Sequence, residues 1–333
     1  MDKADAERVF GAAAREALNA FPIGSADLRL VTVRENVTFQ VIDRNDGATY
    51  VLRLHRPGYH TLDELNAERV WVRALTDAGT AVPAPVAARD GREYVTVAIH
   101  GTGEHRHAGM LRWTEGRLLS DVLQEVADHG VALGYFEQLG AITASLHNQA
   151  SAWQAPPGFQ RHALDRDGLM GDAPFWGPFW DHALLTAGER RLLLDTRDRI
   201  RGALDRHGKQ PSLYSLIHAD MHPGNILVDG DRLTVIDFDD AAFGWHLYDI
   251  AVALIHHQTA PAFDAIEAAF LQGYRGVRAI ADDALALLPM FRLVRGMAQI
   301  GWYHQRPEHN PPPFFDEMKA RVCAQCEAFK ATV

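Results

Sequence analysis

The feature that most restricts this chain's fold is a change of hydrophobic period partway along it. Before about residue 112, apolar residues recur at every second position; from about Thr114 they recur every third or fourth. In "VTFQV", Val37, Phe39 and Val41 share one face of a strand. After the hairpin turn "RNDG", "TYVLRL" returns with Tyr50, Leu52 and Leu54 on one face and Val51 and Arg53 on the other. "LRLVTV", "EYVTVAI" and "HAGMLRW" read as further strands, the last two separated by the turn-rich "HGTGEH". One strong helix interrupts them. Thr61 to Glu64 forms a capping box, and the helix runs through Leu65, Val72 and Leu75 to Gly79. "VPAPV" follows as an extended link, and an alanine-rich helix with Val9, Phe10, Ala13 and Ala17 precedes the strands.

The second half reads differently. "RLLSDVLQEV" and "YFEQLGAITASLHNQ" are helical, the latter with Phe136, Leu139, Ile142 and Leu146 in register. Residues 153 to 180 are rich in Pro, Gly and aromatics and read as an irregular excursion. Helices continue to the end, broken by "RPEHNPPPFF". No internal repeat is visible. The pattern predicts an α+β, two-lobed architecture: residues 1–112 form a small antiparallel sheet with one main helix, and residues 113–333 form a mostly helical lobe.

Composition narrows the function. With 333 residues, 47% of them hydrophobic, the chain can bury a large core. A net charge of −10 argues against sequence-independent nucleic-acid binding. Cys323 and Cys326 are half a metal site at best and no disulfide framework, which fits a reducing cytoplasm. The N-terminus carries acids and lacks a continuous apolar core, so no secretory signal is expected, and no apolar run is long enough for a bilayer.

The chemistry concentrates in "LIHADMHPGNILVDGDRLTVIDFDD", beginning at Leu216. His218, Asp220 and Asn225 form a polar knot, followed by two short apolar strands about an Asp-Gly turn and then Asp237, Asp239 and Asp240. Clustered carboxylates repel one another, so a cation or a proton in transit belongs there. Phosphoryl transfer has these needs: a base beside the attacking hydroxyl, donors for a divalent metal, and a cation on the phosphates. In the H-x-D-x-x-x-x-N spacing Asp220 stands at a loop tip and Asn225 folds back to meet metal. The run "LTVI" delivers Asp237, and the hairpin fixes the spacing that catalysis by positioning requires.

"HADMHPGN" followed by "IDFDD" resembles the catalytic and metal-binding loops of the aminoglycoside phosphotransferase and choline kinase group, a branch of the protein-kinase-like fold. "ENVTFQV", "YVLRL", "LGAITASLH" and "GWHLYDIA" fit as well, so the resemblance covers most of residues 28 to 255 and leans toward homoserine-kinase-like and stress-kinase-like members. It implies that Asp220 is the catalytic base, with His218 bracing the loop and Asp249 anchoring it. Asn225 and Asp237 would hold magnesium, with Asp239 a further candidate ligand. In the upper lobe Arg53 takes the place of the usual kinase lysine, with Glu68 as its ion-pair partner. Val51 would roof the adenine of ATP (GTP is an alternative), Leu227 and Ile236 would floor it, and the backbone from Leu111 to Trp113 would hydrogen-bond it. No G-x-G-x-x-G loop is present; Asn36 and Thr38 stand in its place beside Glu35.

Two departures from protein kinases bear on the substrate. Ala219 precedes Asp220 where kinases switched on by phosphorylation use arginine, and no long activation segment separates Asp237 from Asp249. Both favour a constitutive enzyme acting on a small molecule. The acidic charge and the aromatics of 153 to 180 and 302 to 315 suggest a hydroxyl-bearing amine as acceptor, an amino alcohol, an aminoglycoside or an amino acid such as homoserine; a monomer or homodimer without nucleic-acid or membrane partners is expected. A Ser/Thr protein kinase and a non-catalytic nucleotide-binding module are the rivals.

Plainer readings stand beside these. The knot can be a polar turn between core strands, or His218, Asp220 and His222 can ligate a hydrolytic metal. Arg53 and Glu68 can be an ordinary ion pair, Asp239 can cap a turn, and Asp240 is structural. Cys323 and Cys326 fit ordinary packing. Trp176, Phe179 and Trp180 can wall a cationic acceptor or pack as a lid on their own core.

Overall fold

The computed structural model describes residues 3–309 and 313–332. The elements in chain order begin with α1 (Lys3–Leu18), β1 (Ala26–Val33), β2 (Val37–Asp43), β3 (Thr49–Leu54) and α2 (Leu62–Asp77). Next come β4 (Pro85–Val86), β5 (Tyr94–Ile99), β6 (Glu104–Arg112), β7 (Arg117–Leu118), α3 (Leu119–Glu125) and α4 (His129–Ala152). Then follow β8 (Ala163–Leu164), α5 (Arg166–Met170), α6 (Ala187–His207), β9 (Tyr214–Ile217), β10 (Ile226–Asp229) and β11 (Arg232–Val235). The last are β12 (Ala242–Trp245), α7 (His246–Leu254), α8 (Phe263–Val277), α9 (Asp282–Leu285), α10 (Leu288–His304) and α11 (Phe315–Thr332). Within the predicted "RPEHNPPPFF" break, residues 310–312 lie outside the described residues. No helix among the described residues is long and apolar enough to cross a membrane.

The chain divides into two compact units. The first comprises Met1–Leu118, Ala155–Arg161 and Leu227–Asp239; the second comprises Leu119–Gln154, His162–Ile226 and Asp240–Val333.

The first unit is built on an antiparallel sheet in the order β1-β2-β3-β6-β4, with β5 also pairing β6. The alternation in the sequence sets its faces. Val37, Phe39, Val41, Leu52 and Leu54 are fully buried against α1, which contributes Phe10, Ala13, Ala14 and Ala17 to the same core. The opposite face carries two cross-strand rows: Gln40, Val51 and Leu111 are paired, and so are Thr38, Arg53 and Gly109. α2 begins with the predicted box. The Thr61 side chain accepts from the Glu64 amide while the Glu64 carboxylate accepts from the Thr61 amide. β10 and β11 form the predicted hairpin, with Gly230 of the Asp-Gly turn at φ 56°.

One element differs from its sequence reading. Arg117 and Leu118, read as the start of a helix, form β7 and pair with Val228 and Leu227. Gly116 makes this possible. Its φ is +135°, and a Cβ there would meet the Val228 carbonyl oxygen at 2.9 Å, so only glycine lets the chain lie along β10.

In the second unit α4 and α8 pack against each other. A Cβ on Gly140 would strike the Phe270 carbonyl, and one on Gly273 would strike that of Glu137, so the two helices cross through reciprocal glycines. That close crossing brings the Tyr274 hydroxyl to His147 Nδ1 at 2.8 Å. In the excursion from 153 to 180, Trp176 and Phe179 are buried, Trp176 against Tyr248, and Trp180 carries Arg197 over its ring. Cys326 is buried, and burial pushes its thiol up to about 12.

Candidate active site

In the first unit, Arg53 and Asp237 meet. Arg53 projects from the partly exposed row of β3, and its Nη1 donates to Asp237 Oδ1 at 2.7 Å. Burial alone would lower the guanidinium's pKa, but the charges of Asp237 and Asp239 outweigh it and raise the value above the ordinary one. Asp237 follows directly on β11 and Ile236 with φ +66°. Among the described residues it shares the positive-φ region only with Ala219 and glycines. Such a conformation costs a non-glycine residue about 1–2 kcal/mol and marks a side chain that the surrounding structure aims deliberately.

The expected Arg53–Glu68 pair is not formed. Glu68 is buried with Arg69 Nη1 3.7 Å away, and Arg53 takes the nearer Asp237 carboxylate, feeling Glu68 only as a more distant charge. Asp239, expected as a possible metal ligand, is committed elsewhere. Its Oδ2 accepts from Asn36 Nδ2 at 3.0 Å, and its Oδ1 stands 3.3 Å from His55 Nδ1. Its backbone carbonyl accepts from Arg161 Nη2 at 2.5 Å and contacts His60 Nε2 at 2.7 Å. Burial would raise the Asp239 carboxyl, yet His55, Arg53 and His60 together hold it well below the usual range. Asp239 is therefore the half-buried hub that braces the β1–β2 turn.

Asn36 is part of the same brace. Its Oδ1 accepts the Arg56 amide at 2.9 Å, so both ends of its amide are engaged in holding the turn and not left to cover phosphate. Thr38 lies beside Arg53 in the sheet, and Val51, Leu111, Leu227 and Ile236 are all half-buried in this unit. The Arg112 and Trp113 amides expected to read adenine already donate to Ala84 and Thr49 carbonyls at 2.8 and 3.0 Å. An adenine edge would have to be read by other backbone groups of this segment.

The second unit holds the other group. His218 and Ala219 follow β9, and Ala219 has φ +65°. Asp249, in the first turn of α7, accepts the His218 amide at 2.9 Å and the Ala219 amide at 2.6 Å, and contacts His147 Nε2 at 3.2 Å. The His218 ring is buried, and its Nδ1 accepts the Asp220 amide at 3.3 Å. This fixes Asp220 at the loop tip. Its Oδ2 accepts from Asn225 Nδ2 at 2.8 Å, with His222 Nε2 at 3.2 Å, and its Oδ1 accepts from Arg295 Nη2 at 2.7 Å. Burial would raise this carboxyl, but His222, Arg295 and His218 hold it far below the usual range, so Asp220 is a carboxylate at neutral pH.

His218, Asp220, Asn225 and Asp249 are thus brought together in one unit, and Arg53, Thr38, Val51, Asp237 and Asp239 in the other. Arg295 on α10 and Arg161 were not foreseen. Neither belongs to a motif; the only sequence signal for Arg295 is an arginine within an apolar helical run, and Arg161, in an irregular segment, has none.

A carboxylate on a strained, anchored loop, a hairpin, and a second strained aspartate paired with an arginine define a kinase-like phosphotransferase. The chain belongs to the phosphotransferase enzyme family, which matches residues 28–283. A microcompartment-associated aminopropanol kinase of known structure is 32% identical, with a TM-score of 0.77 over 95% of this chain and 94% of that one. An amicoumacin kinase solved with AMP-PNP and Ca2+ superposes with a TM-score of 0.78 at 20% identity, covering 98% of this chain and 96% of its own. Homoserine kinase of Rhizobium meliloti is 28% identical over 274 residues, 79% of this chain and 73% of that protein. The expected α+β kinase-like fold is therefore the fold observed, and the protein is a small-molecule kinase with an alcohol group as acceptor.

Each unit offers an oxygen of the type that hard divalent cations prefer. The Asn225 Nδ2 group is directed to the Asp220 backbone carbonyl at 2.9 Å and its carboxylate at 2.8 Å, which leaves the amide oxygen as the free donor. Arg53 occupies Asp237 Oδ1 and leaves Oδ2. Amide and carboxylate oxygens are what magnesium or calcium selects.

Proposed function

We propose that the protein transfers the γ-phosphoryl group of ATP, with magnesium, to the hydroxyl of a small amine-bearing molecule. An amino alcohol of the aminopropanol kind is the first candidate and homoserine the next. The observation that carries this reading is the carboxylate of Asp220, ionised and held in place on a loop whose amides are anchored by Asp249. The acceptor class is supported by the aminopropanol kinase at 32% identity and by the net charge of −10.

In this reading the acceptor oxygen forms a bond to the γ-phosphorus as the bond to the β,γ-bridging oxygen breaks, and ADP leaves. Asp220 accepts the hydroxyl proton as that bond forms. Asn225 and Asp237 would hold magnesium, which supplies neutralising charge to the phosphate oxygens. Arg53 exchanges Asp237 for phosphate oxygens, which a guanidinium can grip with two donors. Val51, Leu227 and Ile236 would enclose the base, and Thr38 would lie alongside the phosphates. His218 acts through Asp220 and touches no substrate. The residues from 113 onward would carry the acceptor site, and the enzyme works in the cytoplasm.

The aromatic cage considered for the acceptor amine gives no support, because Trp176 and Phe179 are buried and Arg295 lies over the Trp176 ring. The test is ADP release from ATP and magnesium, screened against amino alcohols, hydroxy amino acids and aminoglycosides, with GTP as the alternative donor. Turnover with an amino alcohol is expected. Transfer only to proteins, or ATP binding without ADP production, would contradict it.

A further inference from the structure

Arg295 lies on α10, outside every motif the sequence offers, yet it meets the catalytic carboxylate. Its Nη2 donates to Asp220 Oδ1 at 2.7 Å, and its Nη1 reaches the Tyr248 hydroxyl at 3.4 Å. The guanidinium carbon stands 5.4 Å from the centre of the Trp176 ring, which itself stacks on Tyr248 at 6.0 Å. Trp176 and Tyr248 are buried, and the Arg295 side chain is only 11% exposed. Burying a guanidinium is costly unless its charge is met by a well-placed partner. Here that partner is the base of the reaction.

Counting acceptor sites shows what the contact does. A carboxylate offers about four lone-pair directions. On Oδ2, Asn225 Nδ2 at 2.8 Å and His222 Nε2 at 3.2 Å fill both, and Arg295 fills one of the two on Oδ1. One direction remains. Without Arg295 the Oδ1 side would have two open directions and no fixed neighbour to set the plane of the carboxylate.

We propose that Arg295 is a positioning residue for phosphoryl transfer, locking the Asp220 carboxylate so that its single open lone pair meets the acceptor hydroxyl. This rests on the kinase reading given above. An arginine suits the task because its rigid fork donates to Asp220 and Tyr248 at once while its guanidinium carbon lies over Trp176. A lysine reaches only one partner with a point charge.

The test compares wild type, R295Q and R295K, each in kcat, KM for ATP, KM for acceptor and calorimetric affinity for ATP with magnesium. Wild-type turnover is measured first, and its absence would overturn the kinase reading itself, a failure distinct from those below. Loss of positioning lowers kcat roughly 100-fold in R295Q with nucleotide affinity unchanged, while R295K recovers about tenfold of that loss. A kcat for R295Q close to wild type overturns the proposal. So does a joint fall of kcat and nucleotide affinity that R295K does not rescue, because that is the mark of a structural role. If R295Q does not fold, R295K decides: a kcat lowered about tenfold at unchanged KM for ATP supports the role, and a wild-type kcat overturns it.

Discussion

The carboxylate of Asp249 accepts the backbone amide of Ala219 at 2.6 Å, at the point where the chain turns through φ +65°. One buried side chain thereby holds the strained step just before Asp220, the proposed base. Burial pushes the Asp249 carboxyl up to about 6 from an ordinary 3.8, despite His218 and the two amides. The folded value lies above the unfolded one, so the folded state holds an extra proton between about pH 4 and pH 6. Ionising it costs stability as pH rises through that window, roughly 3 kcal/mol in all. Asp249→Asn cannot ionise. Its unfolding free energy, from denaturant titrations, should lack this fall between pH 4 and pH 6, and a fall as large as wild type would contradict the assignment.

His147 works in the opposite sense. Burial, with Arg278 adding to it, holds its imidazole down to about 3 from 6.5. Below pH 6.5 the unfolded chain gains a proton that the folded chain refuses. Its contribution is therefore complete above pH 6.5 and is lost as pH falls toward 3, at about 1.4 kcal/mol per pH unit. His147→Gln should flatten the acid limb of the stability curve by about that slope while lowering stability at neutral pH. An unchanged acid slope would refute this.

Asp237→Asn should abolish magnesium-dependent strengthening of nucleotide binding if Asp237 holds the ion, because it removes the carboxylate charge that the ion would share with Arg53. Calorimetry with and without magnesium reads this directly. A variant whose ATP affinity still rises with magnesium would remove Asp237 from the metal site.

Ala219→Val tests the strain. A β-branched residue is far less tolerant of φ near +65°, and Ala219 is fully buried. Stability should fall by about 2–4 kcal/mol and kcat with it. A variant of wild-type stability would mean that the loop is free to relax.

What the sequence revealed follows from what is local. Period-two alternation placed Val51 and Arg53 on the partly exposed face of β3, and the capping box placed the start of α2, because both depend on neighbours along the chain. The knot of His218, Asp220 and Asn225 was legible because its spacing is carried by one loop. Arg295 was not, since its meeting with Asp220 spans 75 residues and depends on how α10 packs. Asp239 and Asn36 misled for a related reason. An acid beside a metal-ligand candidate and an amide in a phosphate-side turn look available until their long-range contact is seen.

The most direct measurement is acceptor-dependent ADP release by wild type and by Asp220→Asn, at saturating ATP and magnesium, with an amino alcohol as acceptor. The account predicts turnover by wild type, a kcat lower by about 100-fold or more in the variant, and the same calorimetric affinity for ATP in both. A variant that turns over as fast as wild type would contradict the account at its centre.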